Sequence, residues 1–184
     1  MTRVCLIGTD GCTLQYELLS RETSREALAT YDLTRPFENT IALRTVSVGA
    51  AVSLLNDLNW YLTRFVDEAL VQEPSVSDDE WLSRSLAEQL RNGAIEPEET
   101  AEFCKIYGLE RVGGEANEDE PESAATADDA DEADSSESEH ERVATWRLVE
   151  PLYVRRTGGE LPEYDLRDVD ETLVVRLTEA EHSP

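Results

Sequence analysis

Residues 47–72, SVGAAVSLLNDLNWYLTRFVDEALVQ, are the stretch that decides the fold. Apolar residues recur at the three- and four-residue spacing of one buried helix face, at Ala51, Leu54, Leu55, Leu58, Leu62, Phe65, Val66 and Ala69. The pattern predicts one long amphipathic helix from about Gly49 to Gln72, with Ser47 as its N-cap and Pro74 just beyond its end. We expect this helix to be the central packing element of a small domain.

Strand patterns surround this helix. Strands are predicted at Arg3–Ile7, Thr40–Val46, Val143–Val154 and Thr172–Thr178. Residues 13–19 alternate at period two after an Asp-Gly turn, which favours a hairpin strand and leaves a helix open. The predicted class is therefore α+β, with a small mixed or antiparallel sheet packed by the long helix and shorter helices.

Two or three shorter helices complete the prediction. One begins at the capping-box pattern Thr23 to Glu26. A second begins after Ser77 and carries Trp81, Leu82, Leu86 and Leu90. A third begins at Pro97, carries Phe103, Ile106 and Tyr107, and ends at Gly108.

An acidic segment divides the chain. Residues 115–141 hold thirteen Asp or Glu, no Arg or Lys, and no large apolar side chain. Such a composition buries too little apolar surface to offset the entropy of ordering, which predicts a disordered insertion. We expect an α+β core over residues 1–112, the acidic insertion or linker over 113–142, and a C-terminal β-hairpin over 143–184 that completes the sheet.

The charge of the chain indicates its surroundings. The net charge is −25, and −12 of it lies outside the acidic segment, while the basic residues are fifteen Arg and the single Lys105. Molar salt shortens the Debye length to about 3 Å, so an acidic surface is tolerated there. We expect a halophilic cytoplasmic protein, since the N-terminal apolar run is too short for a signal peptide. Neither nucleic acid, which needs a basic face, nor a membrane is expected as a partner.

Residues that carry chemistry are few. Cys5, Cys12 and Cys104 have no metal-ligand spacing, and the histidines His140 and His182 lie in acidic or terminal segments. No metal site, cofactor or catalytic residue is predicted, which favours a protein that is not an enzyme. Cys5 is expected in the core.

Trp60 marks the candidate interaction surface. It lies outside the main apolar stripe, and Asn56, Asn59, Thr63 and Arg64 lie within one helical turn of it. An exposed Trp among amides and an Arg has the composition of an interface hot spot. The alternative is that Trp60 extends the core, with its indole N–H bonded locally.

Two functions follow as hypotheses. The first is a non-catalytic interaction or regulatory protein. The sequence identifies neither its protein partner nor its oligomeric state. The second is an enzyme or small-molecule-binding domain with a site at the sheet edge near Asp10, Arg44 and Asp57.

Four segments together resemble a known family. They are TRVCLIGTDG, ELLSRETSREALATYDL, RPFENTIALRTVS and DLNWYLTRFVDEAL. They are similar to a small uncharacterised family of haloarchaeal proteins, over about Met1 to Leu109. The resemblance implies a cytoplasmic protein adapted to salt, and it implies no activity, cofactor or site residue.

Overall fold

A computed structural model describes residues 1–112, 145–163, 169 and 171–183. The strands are β1 (Thr2–Gly8), β2 (Thr40–Thr45), β3 (Val66–Gln72), β4 (Trp81–Ser83), β5 (Phe103–Val112), β6 (Thr145–Arg155) and β7 (Glu171–Leu177). The helices are α1 (Leu14–Leu19), α2 (Glu22–Leu28), α3 (Val48–Asp57), α4 (Asn59–Phe65), α5 (Arg84–Arg91) and α6 (Glu179–His182), with a 3₁₀ helix at Pro97–Ala101. The predicted acidic insertion lies outside the described residues.

The seven strands form one mixed sheet in the order β2-β1-β3-β4-β7-β5-β6. Every pairing is antiparallel except that of β4 with β7. The predicted α+β class with a small mixed sheet is therefore confirmed. The last two strands join the sheet but flank β5, so they do not form the expected hairpin with each other.

The prediction of one long helix from Gly49 to Gln72 is wrong. The chain leaves helical geometry at Leu58, whose φ and ψ are −88° and 2°, and α4 ends at Phe65. Residues 66–72 form a central strand instead. The Ser47 cap is confirmed, because its hydroxyl accepts a hydrogen bond from the Ala50 N–H at 3.1 Å.

Other predicted elements are also corrected. Residues 14–19 form helix α1, with Leu14 and Leu18 buried one turn apart. Trp81 and Leu82 lie in β4, and the following helix is capped by Ser83 rather than Ser77. The helix from Pro97 is one short 3₁₀ segment, and the aromatic residues after it belong to β5.

The helices cover one face of the β1–β3 half of the sheet. Val4, Leu6, Ile41 and Leu43 from the strands pack there against Leu54, Leu55, Leu58 and Leu62 from α3 and α4. All eight are buried, so this layer is the main apolar core.

The opposite face packs against the other half of the same sheet. Cys5 and Leu70 from β1 and β3 share one cluster with Tyr107, Leu109 and Val175 from β5 and β7. The sheet therefore curls over itself. Its two edges approach each other just before β2, where the backbone of Phe37 forms an isolated parallel β-bridge with Trp146 of β6. The neighbouring Glu38 N–H donates to the Trp146 carbonyl at 2.6 Å.

Candidate functional site

Trp60 lies on the outer side of α4 and is 50% exposed. The guanidinium carbon of Arg64 lies 3.8 Å from the centre of the indole ring, and Arg64 Nη1 donates to the Trp60 carbonyl at 3.0 Å. Arg21 of α2's N-terminus approaches the indole at 5.9 Å and the Phe65 ring at 5.0 Å. We call Arg21, Trp60, Tyr61, Arg64 and Phe65 the Trp60 cluster.

The rings of this cluster hold one another in place. Trp60 meets Tyr61 edge-on at 5.0 Å and Phe65 at 6.5 Å between ring centres. Edge-to-face aromatic pairs and stacked arginines each add attraction beyond burial. The indole is thus exposed yet ordered by its neighbours before any partner arrives.

The predicted amides serve a different purpose. Asn59 Oδ1 accepts from Arg84 Nη1 at 2.9 Å, and Asn56 Oδ1 accepts from Arg84 Nη2 at 3.1 Å. They tie the break between α3 and α4 to the start of α5. Thr63 donates to the Trp60 carbonyl at 3.0 Å. Sequence reasoning did not identify Arg21 or Arg84, because both come from elements distant along the chain.

A cleft of about 830 Å³ opens beside α4, between the two halves of the curled sheet. Thr63 and Arg84 lie on its wall, so the predicted surface borders it. Apolar side chains such as Leu62, Val66 and Leu177 supply much of the remaining wall. A concave volume of this size with convergent polar groups is typical of small-molecule sites.

Glu68, Lys105 and Tyr107 form the floor of this cleft, which we call the floor triad. Lys105 Nζ lies 2.5 Å from Glu68 Oε2, and the Tyr107 hydroxyl donates to the same oxygen. Burial first, and then the negative charge of Glu68, raise the pKa of the Tyr107 hydroxyl far above its ordinary value. Tyr107 therefore stays protonated and acts as a donor.

The floor triad also links strands that are not neighbours, because β4 and β7 lie between β3 and β5 in the sheet. The sequence offered one signal for it. Lys105 is the chain's single lysine, and it is 8% exposed. A lone lysine that the fold buries in a cleft differs from the ordinary surface lysine.

The sheet-edge site predicted at Asp10, Arg44 and Asp57 is wrong as a set. Asp10 lines the cleft, but neither of the other two does. Arg44 is exposed on β2 opposite Arg3, and Asp57 is the last residue of α3.

The cysteines supply no site. Cys5 is buried as expected, and burial raises the pKa of its thiol to about 12. Cys12 contacts the Phe65 carbonyl at 3.5 Å. Across the part of the chain that the structure describes, no three His, Cys, Asp or Glu residues are grouped to hold a metal ion.

Comparison with known families places the chain. A family model described as a family of unknown function, DUF5804, matches residues 2–109, more than half of the chain. The chain belongs to DUF5804. The matched range runs from β1 into β5 and includes both the Trp60 cluster and the floor triad of this DUF5804 protein. The expected membership of an uncharacterised family is thereby confirmed, while the haloarchaeal origin stays a prediction.

Membership of a family of unknown function assigns no activity to any residue of the chain. No curated protein and no solved structure matches the chain. No helix within the described ranges is long and apolar enough to cross a membrane.

Proposed function

We propose that this DUF5804 protein is a non-catalytic interaction protein of a halophilic cytoplasm, and that it recognises a protein partner through the Trp60 cluster. The half-exposed indole held under Arg64 carries the proposal. Trp, Tyr and Arg are the residues most enriched at interface hot spots. A side chain that is already ordered loses less entropy when the partner binds.

The composition supports the cellular setting. A net charge of −25 with one lysine among sixteen basic residues suits molar salt, where repulsion between carboxylates is screened beyond about 3 Å. Long-range steering is weak under such screening, so recognition depends on direct contact. An aromatic ring flanked by two guanidinium groups supplies contact that salt does not abolish.

The charge of the cluster indicates the chemistry of the partner. Arg64 is exposed beside the indole, and Arg21 pairs only with Glu17, at 3.1 Å, among the described residues. We propose that the partner presents a carboxylate next to an apolar side chain. Such a pair would bind the guanidinium and the ring together.

The test is affinity purification from a native lysate in molar KCl. Wild-type protein should retain a stoichiometric partner, and Trp60→Ala should lose it. Arg91→Gln is the matched control, since Arg91 is an exposed helix arginine that bonds to Asn92 outside the cluster. A version without residues 115–141 asks whether the acidic segment contributes to binding. A partner that Trp60→Ala retains at the wild-type level would contradict the proposal.

A further inference from the structure

The carboxylate of Glu68 is used on one side only. Lys105 and Tyr107 both bond to Oε2. Within the described part of the chain, no donor reaches Oε1, although the Glu68 side chain is only 14% exposed and lines the cleft. Oε1 is not among the buried polar atoms that lack a partner, so this oxygen keeps contact with solvent and is open to a donor that enters the cleft.

The other charges of the cleft favour a positive occupant. Asp10, Asp67, Glu68, Glu150 and Glu181 line it, against the two cations Arg84 and Lys105. Both cations already have charged partners, because Lys105 pairs with Glu68, and Arg84 pairs with Glu88 at 3.3 Å besides bonding to two Asn side chains. The exposed carboxylates of Asp10, Asp67 and Glu150 lie at the rim. The cleft therefore carries an excess of unpaired negative charge.

We propose that the cleft binds a small organic amine, whose ammonium N–H groups donate to Glu68 Oε1 and whose far end meets the rim carboxylates. The apolar walls would cover its methylene groups, and the half-exposed Tyr153 ring lies at the cleft to contact the cation. This inference is independent of the Trp60 cluster.

The main ionic contact with the ligand must lie at the floor of the cleft if binding is to persist in molar salt. Rim carboxylates in molar KCl are screened within about 3 Å, so they add little alone. Glu68 is shielded from water by the walls and keeps more of its attraction. Lys105 neutralises part of that charge, which suits a site that releases its ligand.

Three four-carbon probes of equal length separate the possibilities. Isothermal titration calorimetry in molar KCl would compare 1,4-diaminobutane, 1,4-butanediol and succinate with the full chain. We expect heat of binding for the diamine and none for the diol or the dianion. Binding of succinate in preference to the diamine would overturn the proposal and assign the site to Lys105. Absence of binding by the diamine would also overturn it.

Variants locate the binding. Glu68→Gln should weaken diamine affinity at least tenfold, the loss expected for a hydrogen bond to a charged group. Asp67→Asn at the rim should weaken it about two- to fivefold and leaves the floor intact. Asp57→Asn, which removes a carboxylate that does not line the cleft, should leave affinity unchanged.

Folding of each variant is checked by its circular dichroism melt. If Glu68→Gln does not fold, Asp67→Asn against Asp57→Asn decides the question. Equal effects of these two changes would show general attraction to an acidic surface and would refute the proposed site.

Discussion

Glu80 joins three segments of the fold through two arginines. Its Oε1 lies 2.5 Å from Arg156 Nη2, and its Oε2 accepts from Arg176 Nε. Arg176 also donates to the Thr100 hydroxyl at 2.8 Å. The Arg156 and Arg176 side chains are 10% and 11% exposed, so both charges depend on this carboxylate more than on water.

Glu80→Gln should lower the free energy of unfolding by about 3 kcal/mol. Removing one partner of a buried ion pair costs about 3–5 kcal/mol, and the lower end applies because all three side chains retain some contact with water. Urea denaturation in molar KCl would measure the loss. It should change little as KCl is raised, because buried pairs are weakly screened.

Glu102→Gln is the matched control. Glu102 also pairs with an arginine, Arg155, but these side chains are 46% and 64% exposed. An exposed pair contributes less than about 1 kcal/mol. Equal losses for the Glu80 and Glu102 variants would refute the reasoning that burial makes the Glu80 pair important.

The Glu80 carboxylate should also make the free energy of unfolding depend on pH in the acidic range. Burial alone would raise the pKa of Glu80, but the hydrogen bonds and charges of the two arginines outweigh it and lower the pKa below its ordinary value. The resulting stabilisation is complete above the unfolded-state pKa of about 4.3 and is lost as pH falls through the folded-state value. The difference between wild type and Glu80→Gln should therefore shrink below about pH 4. A difference that grows on acidification would contradict this sign.

Three further outcomes are expected. Leu58→Ala removes a buried side chain at the α3–α4 junction and should cost about 2–5 kcal/mol in urea denaturation, while Leu58→Asp should prevent cooperative folding; a soluble Leu58→Asp variant that melts cooperatively would contradict the core. Ser47→Ala should cost about 1 kcal/mol through loss of the α3 cap. Acrylamide should quench wild-type tryptophan fluorescence more strongly than that of Trp60→Phe, since Trp60 is 50% exposed whereas Trp81 is 5% exposed and Trp146 is partly buried; equal quenching would show a shielded Trp60.

The apolar repeat of residues 47–72 predicted burial better than it predicted backbone. Leu54, Leu55, Leu58 and Leu62 are all buried on one side, although the helix breaks at Leu58. Asn and Asp favour helix ends because their side chains compete for backbone bonds, and here Asn56 and Asn59 bind Arg84 instead. The arginine that bonds to both sides of the break is remote in sequence, so local periodicity did not reveal these contacts.

Residues 66–72 mislead for a different reason. This strand is central, with Leu70 facing one core and Ala69 and Val71 facing the other. A strand buried on both faces shows no alternation, so its apolar run also fits helical spacing. The same ambiguity explains β5, where Phe103, Ile106 and Tyr107 satisfy a helical repeat while they point to the two faces of the sheet.

The surface around Trp60 was predictable because one helix carries its residues, whereas the floor triad was not, because its residues come from separate strands. Trp60, Thr63 and Arg64 lie within one turn, and the sequence alone brought them together. The floor triad comes from β3 and β5, which only the curled sheet places side by side. Composition drew attention to Lys105 as the single lysine, but it did not predict the contact with Glu68.

The choice of lysine at the floor triad leads to a last prediction. Fifteen of the sixteen basic residues are arginines, and arginines form the buried pairs of Glu80. An arginine can bond a carboxylate with two parallel N–H groups, whereas lysine is a compact charge on a flexible stem. Lysine at the floor therefore leaves open space and one free oxygen on Glu68.

Lys105→Arg should keep the charge balance and leave the protein cooperatively folded, because an arginine can also pair its positive charge with Glu68. Its guanidinium should occupy Glu68 Oε1 and part of the cleft, so affinity for 1,4-diaminobutane should fall at least tenfold. Urea denaturation and calorimetry on the same preparation separate the two effects. Undiminished diamine binding by a folded Lys105→Arg protein would mean that the free oxygen of Glu68 is not the contact, because the larger cation would have taken it.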